Sequence, residues 1–272
     1  MHLEIVDSSD VGARASDALE VIPIAVVSGT DQVLCAVDDP AVSEEEEKER
    51  QAILLDEGQF MFLPEARERV AQHVHVAGPS GSGKSTWAGN FARQFRAQGG
   101  RVIVISADEA DDPAIPLKDA CDDRLALTED LEAVKLDEIS DCKTPLLLVF
   151  DDVEGVPAEL QKALETFRKA AVERGRKYGI STVNIFHRAA AGRATRDALG
   201  EATAFVCFPR GGLSKNTRYA LTEYAGQHPD LASRLRRRHW GRTVVVTNTC
   251  PQVAIGDRAA ALLDYAQFKK RP

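Results

Sequence analysis

Gly78-Pro79-Ser80-Gly81-Ser82-Gly83-Lys84-Ser85 is the stretch that most restricts what this chain can fold into. It fits the pattern G-x-x-x-x-G-K-[ST], in which glycines let the backbone turn its N–H groups inward around a polyphosphate. The flanks supply the context that the pattern needs. Gln72 to Ala77 alternates polar and apolar residues and predicts a strand. Lys84 to Ala97 places Trp87, Phe91 and Phe95 at i, i+4 and i+8, which predicts a helix whose N-terminus adds positive partial charge. On this reading Gly78 to Thr86 cradle a nucleoside triphosphate. Lys84 reaches its terminal phosphates and the Ser85 hydroxyl holds Mg²⁺.

A second stretch gives the loop a counterpart. Leu146-Leu147-Leu148-Val149-Phe150 is an unbroken apolar run ending in Asp151-Asp152. It predicts a buried parallel strand whose carboxyl end opens on a crevice. Acids there, opposite a phosphate loop, suit Mg²⁺ (Asp151) and an attacking water (Asp152), with Glu154 close enough to share either role. Ser181 to Phe186 predicts the next strand, ending in His187, either a γ-phosphate sensor or a structural hydrogen-bonder.

From Val74 onward strands and helices alternate, which predicts a doubly wound α/β domain over 71–272. Within it Pro157 to Arg174 predicts an amphipathic helix, Ser214 to Tyr224 a further helix, Thr243 to Thr247 and Gln252 to Ile255 strands, and Arg258 to Phe268 a closing helix. Asp108 to Asp112 reads as an acidic turn and Leu125 to Leu127 as a short strand. Residues 1–70 read as a small β appendage for docking or assembly. Its strands are Leu3 to Val6 and a hairpin of Ile22 to Val27 with Val33 to Val37. A second hairpin joins Ala52 to Leu55 with Gln59 to Leu63. The acidic run Ser43 to Arg50 between them is a solvated helix or linker.

Charge divides along the chain. Residues 168–272 hold 20 Lys and Arg against 7 Asp and Glu, whereas the other 167 residues hold 14 against 35. Such a division marks either a nucleic-acid-facing surface or two parts that neutralise each other. Five cysteines without a C-x-x-C pair fit neither a disulfide framework nor a zinc site, and predict a reducing compartment. The acidic start MHLEIVDSSD is unlike a signal peptide, and no apolar run is long enough for a transmembrane segment.

Taken in order, GPSGSGKST (78–86), LLLVFDD (146–152), ERGRKYGISTVNIFHR (173–188), GRATRD (192–197) and ATAFVCFPRGG (202–212) resemble the genome-packaging ATPases of large DNA viruses. These are the poxvirus-type branch of the HerA/FtsK-like P-loop motors, and the likeness spans about residues 52 to 265. The resemblance implies a RecA-like P-loop NTPase core that forms a homo-oligomeric ring and hydrolyses ATP with Mg²⁺ at subunit interfaces. It implies Lys84 and Ser85 on phosphate and metal, Asp151 on the metal, Asp152 on the water and His187 as sensor. Arg176 or Arg196 would be the arginine that reaches a neighbour's γ-phosphate. Several members carry glutamate in place of Asp152 and glutamine in place of His187. Double-stranded DNA, capsid or membrane-associated virion proteins, and host cytoplasm or virion are the implied partners and location. A small-molecule kinase and a nucleotide-dependent assembly switch are the competing readings.

Overall fold

The computed structural model describes residues 1–14, 20–67, 70–107, 117–125, 127–190, 192–211 and 213–263. They divide into two compact units. One comprises Met1–Leu63, Cys207–Ser214 and the chain from Leu221 on; the other comprises Pro64–Val206 and Lys215–Ala220.

In the first unit, β1 (His2–Asp7) is followed by α1 (Ser8–Arg14), β2 (Glu20–Val27) and β3 (Gln32–Asp38). Next come α2 (Glu44–Glu49), β4 (Ala52–Leu54) and β5 (Phe60–Phe62). The β2–β3 hairpin forms as expected, and β1 pairs antiparallel with β3. The acidic run is helical, started by a capping box between Ser43 and Glu46. The second expected hairpin does not form. β5 pairs with β2, whereas β4 pairs with a strand from the far end of the chain. A turn at Asp56-Glu57-Gly58 permits a hairpin but does not choose partners. Here Leu55 N–H donates to the Arg258 carbonyl at 2.8 Å and the Arg258 guanidinium donates back to the Leu55 carbonyl at 2.9 Å.

The second unit carries β6 (His73–Ala77), α3 (Lys84–Ala97), β7 (Arg101–Ser106), β8 (Asp123–Leu125) and α4 (Leu136–Ile139). It continues through β9 (Leu146–Asp151), α5 (Ala158–Arg174), β10 (Ile180–Phe186), α6 (Arg193–Gly200) and β11 (Ala204–Cys207). The acidic turn expected at Asp108 to Asp112 and Ala126 lie outside the described residues. The six strands run parallel in the order β8-β7-β9-β10-β6-β11. Each is bounded by a return segment, and helices lie on both faces. On one face Ile103, Ile105, Leu146, Leu148 and Phe150 form a cluster with Leu164, Phe167 and Ala171 of α5. By alternation Val102, Val104, Leu147 and Val149 point to the other face, where α3 packs on β7 and β9 with Phe91 and Phe95 buried. This is the RecA-like P-loop core expected from the sequence: doubly wound, mostly parallel, with a small antiparallel sheet contributed by the N-terminal strands.

Further along come α7 (Lys215–Tyr219), α8 (Asp230–Arg234), β12 (Val244–Thr247), β13 (Val253–Gly256) and β14 (Ala259–Leu262). β14 corrects the closing helix expected from Arg258. Ala259-Ala260-Ala261-Leu262 has high helix propensity, but the segment is sandwiched between β13 and β4 and takes their extended geometry. Tertiary pairing outweighs a propensity worth less than about 1 kcal/mol per residue. Residues 264–268 of that expected helix lie outside the described residues.

β6 also sets a pH limit on stability. His73 and His75 are 7 % and 0 % exposed. Burial pushes their pKa values from 6.5 down to about 4 and about 3. Both are therefore neutral in the folded chain and protonate more readily once unfolded. Stability is full above about pH 6.5 and falls as the pH drops toward 4, by about 1.4 kcal/mol per pH unit for each histidine. Urea titrations across this range will record the decline. His75→Phe, which keeps a ring against Phe186 and Phe205 (4.8 and 5.6 Å away), will remove roughly half of it.

Candidate functional site

The carboxyl ends of β6, β9 and β10 form one edge of the parallel sheet, and five of the sequence-predicted residues meet there. The loop leaving β6 turns where Gly81 and Gly83 take positive φ, 72° and 101°, conformations that cost glycine little and other residues more. Gly83 then caps α3, so the helix starts at Lys84. Lys84 is 8 % exposed. Its ammonium donates to the Pro79 carbonyl at 3.1 Å and lies 3.5 Å from His187 Nδ1. Burial lowers its pKa, and the nearby carboxylates of Asp151, Glu154 and Asp152 oppose that shift.

Ser85, the next residue on α3, donates its hydroxyl to Asp151 Oδ1 at 3.1 Å. Asp151 is buried at the last position of β9. These are adjacent hard oxygens of the kind Mg²⁺ takes when it keeps most of its shell for phosphate and water. The donor set therefore fits that ion. Among the described residues no cluster of three or more His, Cys, Asp or Glu builds an all-protein cage.

Asp152 leaves the strand at φ 46°, a left-handed conformation at a residue other than glycine. Such a backbone costs roughly 1–3 kcal/mol and persists only where its surroundings enforce it. The side chain is half exposed, with Oδ1 3.7 Å from His187 Nε2, an ion pair when the imidazole is protonated. His187 is fixed from below as well: its N–H donates to Glu154 Oε2 at 2.8 Å. β10 lies between β6 and β9 in the sheet, and this insertion sets His187 between Lys84 and Asp152.

The two arginines are not brought to this cluster. Arg176 is exposed in the 3-10 turn Gly175–Tyr178 that feeds the start of β10. The seven residues of β10 separate it from the site edge, about 23 Å at the usual strand rise. Arg196 is exposed in the first turn of α6, which follows the His187 connector, and its Nε donates to the Gly192 carbonyl at 3.2 Å.

Three contributions escaped the sequence reading. The Pro79 carbonyl holds Lys84, Glu154 anchors the His187 backbone, and Arg168 packs against β10 with its guanidinium carbon 5.2 Å from the Phe186 ring centroid. Arg168 had a usable signal. It stands four residues after Leu164, on the buried stripe of α5.

Fold and loop geometry together define a chain with a P-loop core of RecA-like architecture. No family model matches it. "Uncharacterized protein V3" of Sputnik virophage is 28% identical over 190 residues, covering 68% of this chain and 74% of that protein. Among solved structures, the pCW3 conjugation coupling protein TcpA, in its monomer form with ATPγS, superposes with a TM-score of 0.51. It is 14% identical and covers 98% of this chain and 87% of its own. The genome packaging NTPase B204 from Sulfolobus turreted icosahedral virus 2, with ATPγS, gives a TM-score of 0.45 at 12% identity, covering 69% of this chain and 97% of its own. The likeness to TcpA is one of fold.

Proposed function

We propose that the chain is a Mg²⁺-dependent ATPase that works as a motor on double-stranded DNA, packaging a viral genome from within a homo-oligomeric ring. The convergence of Lys84, the Ser85–Asp151 pair and the Asp152–His187 pair at one sheet edge carries the hydrolytic part. The fold shared with a nucleotide-bound coupling protein and the basic final third of the chain support the DNA part. The motif resemblance supports packaging, the ring, capsid or virion partners, and a location in host cytoplasm or virion. No helix among the described residues is long and apolar enough to cross a membrane.

In the proposed mechanism the loop N–H groups and the α3 N-terminus receive the β- and γ-phosphates. Lys84 leaves the Pro79 carbonyl and turns to them. Ser85 and Asp151 would hold Mg²⁺, which would supply charge neutralisation at the phosphate oxygens. Asp152 accepts a proton from the water whose oxygen bonds the γ-phosphorus as the bond to ADP breaks. His187 lies between Lys84 and Asp152, placed to register whether the γ-phosphate is there.

The test is the steady-state ATPase rate with and without double-stranded DNA, taken alongside oligomer size in solution. DNA is expected to accelerate hydrolysis, with an affinity that falls steeply as salt rises. Hydrolysis indifferent to DNA at every oligomeric state removes the translocase. Binding without turnover favours the assembly switch, and phosphate appearing on a nucleoside favours the kinase.

A further inference from the structure

Arg168 packs on Phe186, next to His187, and among the described residues makes no direct bond to Lys84, Ser85, Asp151, Asp152 or His187. It is 6 % exposed on the inward side of α5. Among the described residues no carboxylate reaches it at ion-pair distance and none hydrogen-bonds its guanidinium; its close partner is the Phe186 ring. Burial disfavours its charge, and Glu165, Glu154 and Asp197 act on it only through their fields. A buried cation without a direct partner is costly, so such a group calls for a ligand.

Arg168 is one of the residues lining a cavity of about 200 Å³ between α5 and α6. Lys162, Lys169 and Arg193 stand around it. The acids of the wall have partners other than Arg168: Glu173 pairs with Lys169 at 3.5 Å and Asp197 with Arg193 at 3.8 Å, both within the wall, and Glu165 accepts from the Gln161 amide at 3.3 Å. Lys162 pairs with Glu132 at 3.7 Å. Arg168 is thus the cation of this wall left with positive charge and no carboxylate beside it.

We propose that the α5–α6 cavity is an oxyanion site, separate from the nucleotide loop, that takes a phosphate-sized tetrahedral anion on Arg168. The planar fork of a guanidinium matches two oxygens of such an anion. The volume is below the about 300–1,000 Å³ of pockets that hold drug-sized molecules. It leaves room for a small anion with water, whose share of liquid volume is about 30 Å³ each. Arg193, in the first turn of α6, would close the site from the other helix, so that the anion bridges α5 and α6.

Inorganic phosphate is the probe, added to the full-length Lys84→Ala protein so that the loop site is weakened, with amide NMR shifts as the readout. Sulfate, ATP and chloride at matched ionic strength form the comparison arms. Saturable shifts are expected at Thr166–Val172 and Arg193–Ala198 with phosphate and sulfate and not with chloride. ATP giving the same shifts would identify a nucleotide's phosphate as the source, and inorganic phosphate acting alone would identify the free ion. Adding Arg168→Met should weaken binding at least tenfold, and exposed Arg193→Ala several-fold. Should Arg168→Met fail to fold, the Arg193→Ala arm decides. Shifts confined to residues 78–86, shifts matched by chloride, or affinity unmoved by the arginine substitutions would overturn the proposal.

Discussion

Asp152→Asn is expected to bind ATP with affinity close to that of the parent and to lose hydrolysis by about 10²–10⁴-fold, the usual contribution of a positioned general base. The asparagine side chain keeps the size of aspartate but cannot accept a proton from water. Geometry favours a clean separation of binding from turnover. Asp152 is not among the groups that hold Lys84 or Ser85; those are the Pro79 carbonyl and Asp151. Asparagine tolerates left-handed backbone at least as well as aspartate, so the φ of 46° survives the substitution. Fluorescent-nucleotide titration and single-turnover hydrolysis together check this. Turnover within threefold of the parent would transfer the proton-accepting role to another acid, and Glu154, already bonded to the His187 N–H, is the next to replace. Unchanged function with hydrolysis abolished would instead favour the switch.

The features that could be read from the sequence are those fixed locally. The loop was legible because Gly81 and Gly83 meet a backbone demand that glycine meets at least cost. β9 was legible because five apolar residues in a row with acids behind them suit a strand buried on both faces and ending at a crevice. Pairings between distant segments were not legible. Nothing in Ser181 to Phe186 says that it slots between β6 and β9, yet that insertion brings His187 to Lys84. The partner of β4 lies more than 200 residues away, with Ile53 opposite Ala260. Neither the short turn after β4 nor the alanines of β14 carried that information. Site details that depend on tertiary enforcement were hidden for the same reason. The positive φ of Asp152, the Glu154 bond to the His187 backbone and the seat of Arg168 on Phe186 follow from neighbours that only the folded chain supplies.

Arg196→Ala is expected to lower hydrolysis by about 10³–10⁵-fold, the contribution of an arginine supplied by a neighbouring subunit, while Arg176→Ala changes it little. The distinction comes from helix electrostatics. Arg176 sits just past the C-terminus of α5, where exposed carbonyls favour a cation, so its position needs no further explanation. Arg196 sits in the first turn of α6 together with Arg193, at the positive end of the helix dipole, with no acid in that turn. A cation is disfavoured there by about 0.3–1 kcal/mol. Arg193 offsets part of this through Asp197 at 3.8 Å, whereas among the described residues the exposed Arg196 returns only to the Gly192 carbonyl. A surface arginine held against the local field, on the segment that follows β10, is the better placed of the two to act on another subunit's γ-phosphate. Mixing decides between action within a subunit and across subunits. Lys84→Ala subunits keep Arg196 but lack a working loop, and Arg196→Ala subunits keep the loop. Each alone should be inactive, and their mixture should recover a substantial fraction of the parent rate if the arginine acts in trans. No recovery in mixed oligomers of verified composition would place Arg196 in its own subunit's site or outside catalysis.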